Sequence, residues 1–423
     1  MRLRTPLAGR GRRRPTWPPH ERLSGLPGEP PPSLRRELSG AVADVGVLVP
    51  IAVALIVTNG LSPTAVLLPA GILYVTVAFL YRLPVAVQPL KALGAIAIAK
   101  GLGADEIAAA ALLMGVIFVG LGATGLVDRA ARAFPQPLIR GVQLTVGLLF
   151  LKVAWGLVEH PPHSFAAHAL PPAWAVPLGA VVVVLALLLR RWPVALALVV
   201  VGAGVALALA GGAAALGPSP LALPSLSAAT LGTALVVLVV PQLPLTFANS
   251  CLAPADAART YFGTRAQRLS PGRLAVSLGS ANLVAGGIAG MPVCHGAGGM
   301  TAHYAFGART GRAPLAIGVA LLAVALLAGS GLAALLAAFP LPILAGLLAT
   351  AGLLHIGLLG DLRGWKAWAA ALLVGGVGFT ANLAWGLAAG LLFWWTPVLA
   401  GRVGSGSWSS RLGHRFERPS DAP

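Results

Sequence analysis

Apolar stretches of about 18 to 25 residues recur from residue 39 to residue 398, separated by short breaks rich in Pro, Gly and charge. About 20 consecutive apolar residues make a helix long enough to cross the hydrocarbon core of a bilayer. The membrane is therefore this chain's solvent, and helices are the natural way to satisfy its backbone there. Composition agrees, since 10% of residues are charged where a soluble chain carries about a quarter. An all-α polytopic membrane fold is expected.

Reading the apolar runs with Pro, Gly and charge as punctuation predicts fourteen segments. The first seven cover 39–59, 63–81, 83–100, 105–127, 137–158, 174–190 and 193–211, and the second seven cover 229–250, 271–290, 292–307, 313–337, 341–358, 365–381 and 382–398. An even count places both tails, 1–38 and 399–423, on one side. The first tail is rich in Arg and Pro without apolar periodicity, which predicts disorder; its Arg12-Arg13-Arg14 lacks the apolar region of a cleaved export signal.

The net charge of +18 does not call for a nucleic-acid partner, because its placement reports topology. With the tails cytoplasmic, loops on that side hold Arg82, Arg129, Arg132, Arg190, Arg191, Arg259, Arg265, Arg268, Arg273, Arg309, Arg312, Arg363 and Lys366. Opposite loops hold Lys100, Asp105, Glu106, Glu159 and several His. That asymmetry is the positive-inside pattern of an inner-membrane protein. Cys251 and Cys294, in or beside segments, leave neither a disulfide framework nor a four-ligand zinc site. No cofactor or metal is expected.

A Pro/Gly/Ser-rich joint at 212–228 separates a first repeat, 39–211, from a second, 229–398. Seven segments in each imply insertion with opposite orientation, an inverted repeat suited to alternating access. The third segment of the first repeat opens Pro84-Val85-Ala86-Val87-Gln88-Pro89, and that of the second opens Pro292-Val293-Cys294-His295-Gly296. Neither can be a regular helix throughout, because Pro84, Pro89 and Lys91 crowd one and Pro292, Gly296, Gly298 and Gly299 crowd the other. Each is read as an extended entry followed by a half-length helix that starts near mid-membrane. Two such starts would aim unpaired N–H groups at one point, which is an anion site.

Several side chains bear on that site, each with a plainer reading beside it. Lys91 adds a full charge, at ~2.5–3.5 kcal/mol for burial at bilayer depth, or pairs with a carboxylate or snorkels to the interface. Gln88 donates to the anion or caps a helix, and His295 donates, carries a coupled proton, or is a packed histidine. Asp44, the only carboxylate clearly inside any of the predicted segments rather than at an end, couples a proton, partners Lys91 or caps a helix. Asn249 and Asn282 support the site or bond between helices.

These motifs resemble the molybdate transporter family, related to the sulfate permease superfamily. The likeness is carried by Gly40-Ala41-Val42-Ala43-Asp44-Val45-Gly46, Val87-Gln88-Pro89-Leu90-Lys91-Ala92 and Ile139-Arg140-Gly141-Val142-Gln143. Pro241-Gln242-Leu243-Pro244-Leu245-Thr246 and Met291-Pro292-Val293-Cys294-His295-Gly296-Ala297-Gly298-Gly299 complete it. The resemblance implies a seven-plus-seven fold with a core of segments 1–4 and 8–11 moving against a gate of segments 5–7 and 12–14. It implies symport of molybdate or a related oxyanion, with sulfate or tungstate as alternatives, and substrate contact by Gln88, Pro89, Lys91, Pro292, Val293, Cys294, His295 and Gly296. Homodimers occur on the related fold. Ala86 and Val47 stand where the family pattern has Pro and Thr, which defines oxyanion class better than oxyanion identity.

Three other functions are weighed against this one. A proton-coupled nucleobase or organic-anion permease on the same fold would place carboxylates within 229–310. A membrane enzyme would pair Cys294 with His295, but chain neighbours rarely point at each other and no orienting carboxylate is near. A passive anion channel shares the scaffold.

Overall fold

The computed structural model describes residues 33–127, 129, 134–189, 194–209 and 215–404; the side chains of 42–47, 163–164, 195–196 and 397–404 lie outside that description. The first half of the chain contributes α1 (Leu34–Asn59), α2 (Pro63–Tyr81), β1 (Gln88–Pro89), α3 (Lys91–Lys100), α4 (Ala104–Ala123), α5 (Gln136–Glu159), α6 (Pro172–Leu188) and α7 (Val194–Leu209). The second begins with α8 (Ala228–Arg268). It continues through α9 (Pro271–Gly287), β2 (Val293–Cys294), α10 (Ala297–Ala305), α11 (Arg312–Leu327), α12 (Gly329–Ala337), α13 (Leu341–Gly357), α14 (Trp365–Thr380) and α15 (Leu383–Gly404).

Among the described residues five helices are long and apolar enough to cross a membrane, or six if α11 and α12 count as one bent span. Others, such as Pro172–Leu188, are shorter apolar helices, so helix length alone does not yield the expected fourteen. Three boundaries differ from expectation. The helix expected to start at residue 39 starts at Leu34, which brings a second carboxylate inside: Glu37 is 0% exposed and its Oε1 accepts the Arg309 N–H at 3.1 Å. At the other end α15 continues to Gly404; the remainder of both tails, 1–32 and 405–423, lies outside the described residues.

The segment expected at 229–250 belongs instead to a helix of 41 residues. Stretches Ala234–Val239 and Thr246–Leu252 adopt π-helical turns around Pro241 and Pro244. The second stretch crosses the expected boundary at residue 250, and its wider turn leaves room for Pro254, which lacks an N–H, so the helix runs on where the punctuation rule ended it. Conversely the segment expected at 313–337 breaks into α11 and α12 with an 89° bend at Ala328. Backbone groups freed there are met by the segment between α7 and α8: Gly217 N–H donates to Leu327 O (2.9 Å), and Ser330 N–H to Gly217 O (2.9 Å). Such breaks are tolerated at membrane depth where protein satisfies the backbone.

Packing pairs α4 with α9 and α2 with α11, and sets α5 against both α13 and α14 and α6 against α13. Glycines allow close approach: a Cβ at Gly286 would meet Leu112 Cγ at 2.5 Å, and one at Gly279 would meet Val119 N at 2.7 Å. With no hydrophobic drive between helices in lipid, such contacts supply much of the association energy.

Candidate functional site

Inside the bundle two extended segments meet. Residues 83–90 run into β1 and residues 290–296 into β2, and the strands pair antiparallel with Gln88 opposite Cys294 and Pro89 opposite Val293. Leu90 N–H donates to Pro292 O at 3.1 Å, and Cys294 Sγ lies 3.5 Å from Pro89 O. Each crossing thus supplies backbone partners that lipid would not. Both expected breaks are present, at the expected places.

The two half-helices leave from this junction. Neither N-cap residue, Leu90 for α3 or Gly296 for α10, uses a side-chain cap. The Leu93 N–H is taken by Gln242 Oε1 from α8 at 3.0 Å. The Lys91 and Ala92 N–H groups, and those of Ala297, Gly298 and Gly299, have no hydrogen-bond partner among the described residues.

Gln88 shows how close the two starts lie. Its Oε1 accepts from Lys91 Nζ at 2.7 Å, and a Cβ added to Gly296 would sit 2.1 Å from that same oxygen. One buried side chain, 2% exposed, therefore touches the first residue of α3 and the N-cap of α10. Gly296 is glycine because Gln88 occupies the space a side chain would need. Lys91 is half-buried and has no ion pair among the described residues, which do not include the Asp44 side chain.

Around this centre is a polar brace. Asn282 on α9 is fully buried and grips Val293 by both backbone groups, accepting its N–H at 2.8 Å and donating to its C=O at 2.7 Å. His295 is 0% exposed; its Nε2 meets Ser277 Oγ at 2.8 Å and its Nδ1 lies 3.4 Å from Ala86 O. Ser277 in turn meets Tyr81 Oη at 2.9 Å. Of the readings open for His295, this geometry matches the packed histidine satisfied by its neighbours. Asn249 lies in a π-helical turn of α8, half-buried, and makes no side-chain hydrogen bond among the described residues. The Asp44 backbone is within α1, but its side chain lies outside the described residues.

Residues not singled out above also shape the site. Gln242 caps α3, Ser277 and Tyr81 hold His295, and His355 on α13 stands within coulombic range of Lys91. An ionisable residue at membrane depth is the one linear signal that marks His355. Gln242 and Ser277 carry no such signal, because their partners are distant in sequence.

The arrangement can hold an anion. It offers two helix N-termini with free N–H groups, one ammonium and one carboxamide, in a setting where charge is poorly screened. Comparison with known proteins agrees. The family model described as "Molybdate transporter of MFS superfamily" matches residues 36–150 and 234–354, which contain every residue of this junction. Molybdate transporter 2 of Arabidopsis thaliana is 28% identical over 366 residues, covering 76% of this chain and 78% of that protein. Molybdate transporter 1 of Chlamydomonas reinhardtii is 28% identical over 432 residues, covering 75% and 82%. Among solved structures, the transmembrane domain of a cyanobacterium bicarbonate transporter, BicA, matches with TM-score 0.61 at 19% identity over 85% of this chain and 97% of that one. The murine anion transporter Slc26a9 in its inward-facing state matches with TM-score 0.63 at 16% identity, over 87% and 69%. These structures establish the fold, and the family match over both halves establishes that the chain belongs to the molybdate transporter family.

Proposed function

We propose that this chain is a secondary active transporter of a small tetrahedral oxyanion, molybdate first, which it holds between the N-termini of α3 and α10. The carrying observation is Gln88, whose carboxamide bridges Lys91 and the N-cap of α10. Each N-terminus contributes ~0.3–1 kcal/mol to a surface anion and up to ~2 kcal/mol when partly buried. Gln88, Lys91 and the bare amides of Ala297, Gly298 and Gly299 make the contacts; Pro89, Pro292, Val293 and Cys294 form the strand pair beneath. His295 and Asn282 act as positioning residues. Molybdate is favoured over sulfate and tungstate by the names of the relatives in Arabidopsis thaliana and Chlamydomonas reinhardtii.

Alternating access on a seven-plus-seven inverted repeat fits the packing. Exchanging α1 with α8, α2 with α9, α3 with α10 and α4 with α11 turns the α4–α9 contact into α11–α2 and the α1–α10 contact into α8–α3. Exchanging α5 with α13 and α6 with α14 turns α5–α14 into α13–α6. A core carrying both crossings then moves against a gate that includes α5, α13 and α14. Cytoplasmic termini in the inner membrane follow from the Arg asymmetry.

The test is uptake of labelled molybdate by cells lacking their own importer, with sulfate, tungstate and uracil as competitors. Saturation at submicromolar molybdate with little sulfate competition is expected. Competition by uracil alone would replace this reading with the nucleobase permease.

A further inference from the structure

Away from the strand junction lies a cavity of about 190 Å³, between the last turn of α3, the second half of α5, α8 and the turn joining α14 to α15. Lys100, Lys152, Thr380 and Asn382 line it, with Ile96 and Leu149 on its walls. The end of α1 is close by, because Asn59 donates to Ala97 O and Leu102 O on either side of Lys100. Lys91 and Lys100 are the two ends of α3, so at 1.5 Å per residue the cavity lies ~13 Å along one helix from the proposed anion pocket.

Resting on the transport reading above, we propose that this cavity is a second anion site, a vestibule in which Lys100 and Lys152 collect a tetrahedral oxyanion before it passes along α3 to Lys91. Three observations carry it. Neither lysine makes a hydrogen bond or ion pair among the described residues. Nearby acids do not quench them: Asp105 accepts from Ser225 N–H at 2.9 Å, Glu106 lies against Gly103, and neither these nor Glu159 line the cavity. Finally, Lys152 sits well inside a helix of 24 residues. Its side chain is exposed and lines this cavity, which is where a cation within an apolar helix has its charge best solvated.

The space suits the ligand. At ~30 Å³ per water in the liquid, the cavity accepts a four-oxygen anion with part of its hydration shell. Capping the start of α15, Asn382 Oδ1 accepts the Ala384 N–H at 2.7 Å, leaving its amide hydrogens free to donate. A plainer account has Lys100 offsetting the C-terminal end of α3 and Lys152 snorkelling to the interface. Those roles would affect membrane abundance or maximal rate. Collection of an anion affects the half-saturation concentration and its dependence on salt, because exposed charges are screened within ~8 Å at physiological ionic strength.

The experiment measures initial molybdate uptake at low and high ionic strength for the full chain, for Lys100→Gln, Lys152→Gln and the double variant, and for Lys152→Arg. At low ionic strength the double variant should show a half-saturation concentration raised roughly tenfold, the lower end of the gain from a charged cleft. Its maximal rate should be unchanged and its salt dependence flattened, and Lys152→Arg should behave as the unsubstituted chain. Lys152→Cys separates charge from folding. Both native cysteines are buried, so a cationic thiol reagent should restore the low half-saturation concentration and an anionic one should raise it further. Unchanged half-saturation and salt dependence in the double variant, or identical effects of the two reagents, overturns the vestibule while leaving transport standing. An unsubstituted chain that takes up no oxyanion overturns both.

Discussion

The first crossing, 83–100, and the second, 290–305, share one backbone plan: an extended entry, a two-residue strand and a half-length helix. They differ in what they present. The first carries polar side chains, Gln88 and Lys91, and has one helix amide already capped by Gln242. The second presents glycine-rich backbone, and its polar residue, His295, points into the brace formed by Ser277 and Tyr81. One crossing supplies charge and the other bare amides, so a site that is symmetric in backbone is asymmetric in chemistry. A single ammonium limits the desolvation cost, while the amides add donors without adding charge.

That division of labour predicts its largest effect at Lys91. Removing one partner of a buried charged contact costs ~2–5 kcal/mol, so Lys91→Ala should lower molybdate uptake by about 30-fold or more. Quantified by labelled uptake against membrane abundance, the loss should come with near-normal protein level, since insertion improves when a buried cation is removed. Retention of full uptake would remove the charge from the first crossing and with it the asymmetry.

Next in size is Gly296→Ala. The added methyl would fall 2.1 Å from Gln88 Oε1, forcing the carboxamide off both helix starts. Uptake should drop about tenfold, and the same substitution made on Gln88→Ala should cost little more than Gln88→Ala alone. Neighbouring residues couple by ~0.5–3 kcal/mol, so a double-mutant cycle on uptake reads this contact directly. Additive losses would mean that the two crossings act separately.

Ser277→Ala probes the brace. The substitution removes the contacts to His295 Nε2 and Tyr81 Oη together and leaves a buried ring nitrogen without that partner, at ~1–3 kcal/mol, visible as a lower thermal midpoint in detergent, while half-saturation should stay within about twofold. A tenfold rise in half-saturation would move His295 from the brace to the anion and make the second crossing a side-chain donor like the first.

Much of this plan was legible in the linear sequence. Pro84, Pro89 and Lys91, and then Pro292 with Gly296, Gly298 and Gly299, forbid regular helix, and breakage at those places needs only local rules. What was not legible depends on partners far along the chain. Gln242 reads as one polar residue in an apolar run until it is set beside Leu93, 149 positions away. Helix α8 runs past its punctuation because the π-turns of Thr246–Leu252 lead into Pro254 without ending the helix. The bend at Ala328 depends on the joint around Gly217 folding back to meet its backbone. Lys152 shows the same limit: its position along a helix says that a cation falls within an apolar run, and only the facing helices say that it lines a cavity.

The smallest effect tests whether each half-helix is anchored at its far end. Asn59 pins the end of α3 by donating to Ala97 O and Leu102 O at 2.9 and 2.8 Å. Ala97 O also accepts from Leu102 N–H at 3.0 Å, so Asn59→Ala deprives only Leu102 O of a donor. The expected cost is ~0.5–1.5 kcal/mol, read as a small fall in thermal midpoint with half-saturation unchanged at high ionic strength. The N-terminal amides of α3 are held independently, by Leu90 on Pro292 and Gln242 on Leu93, so slack at one end need not reach the other. A tenfold loss of affinity at high ionic strength would show instead that α3 moves as a rigid rod. Anchoring by Asn59 would then belong to the anion pocket itself, and the strand pair alone would not hold the two helix starts together.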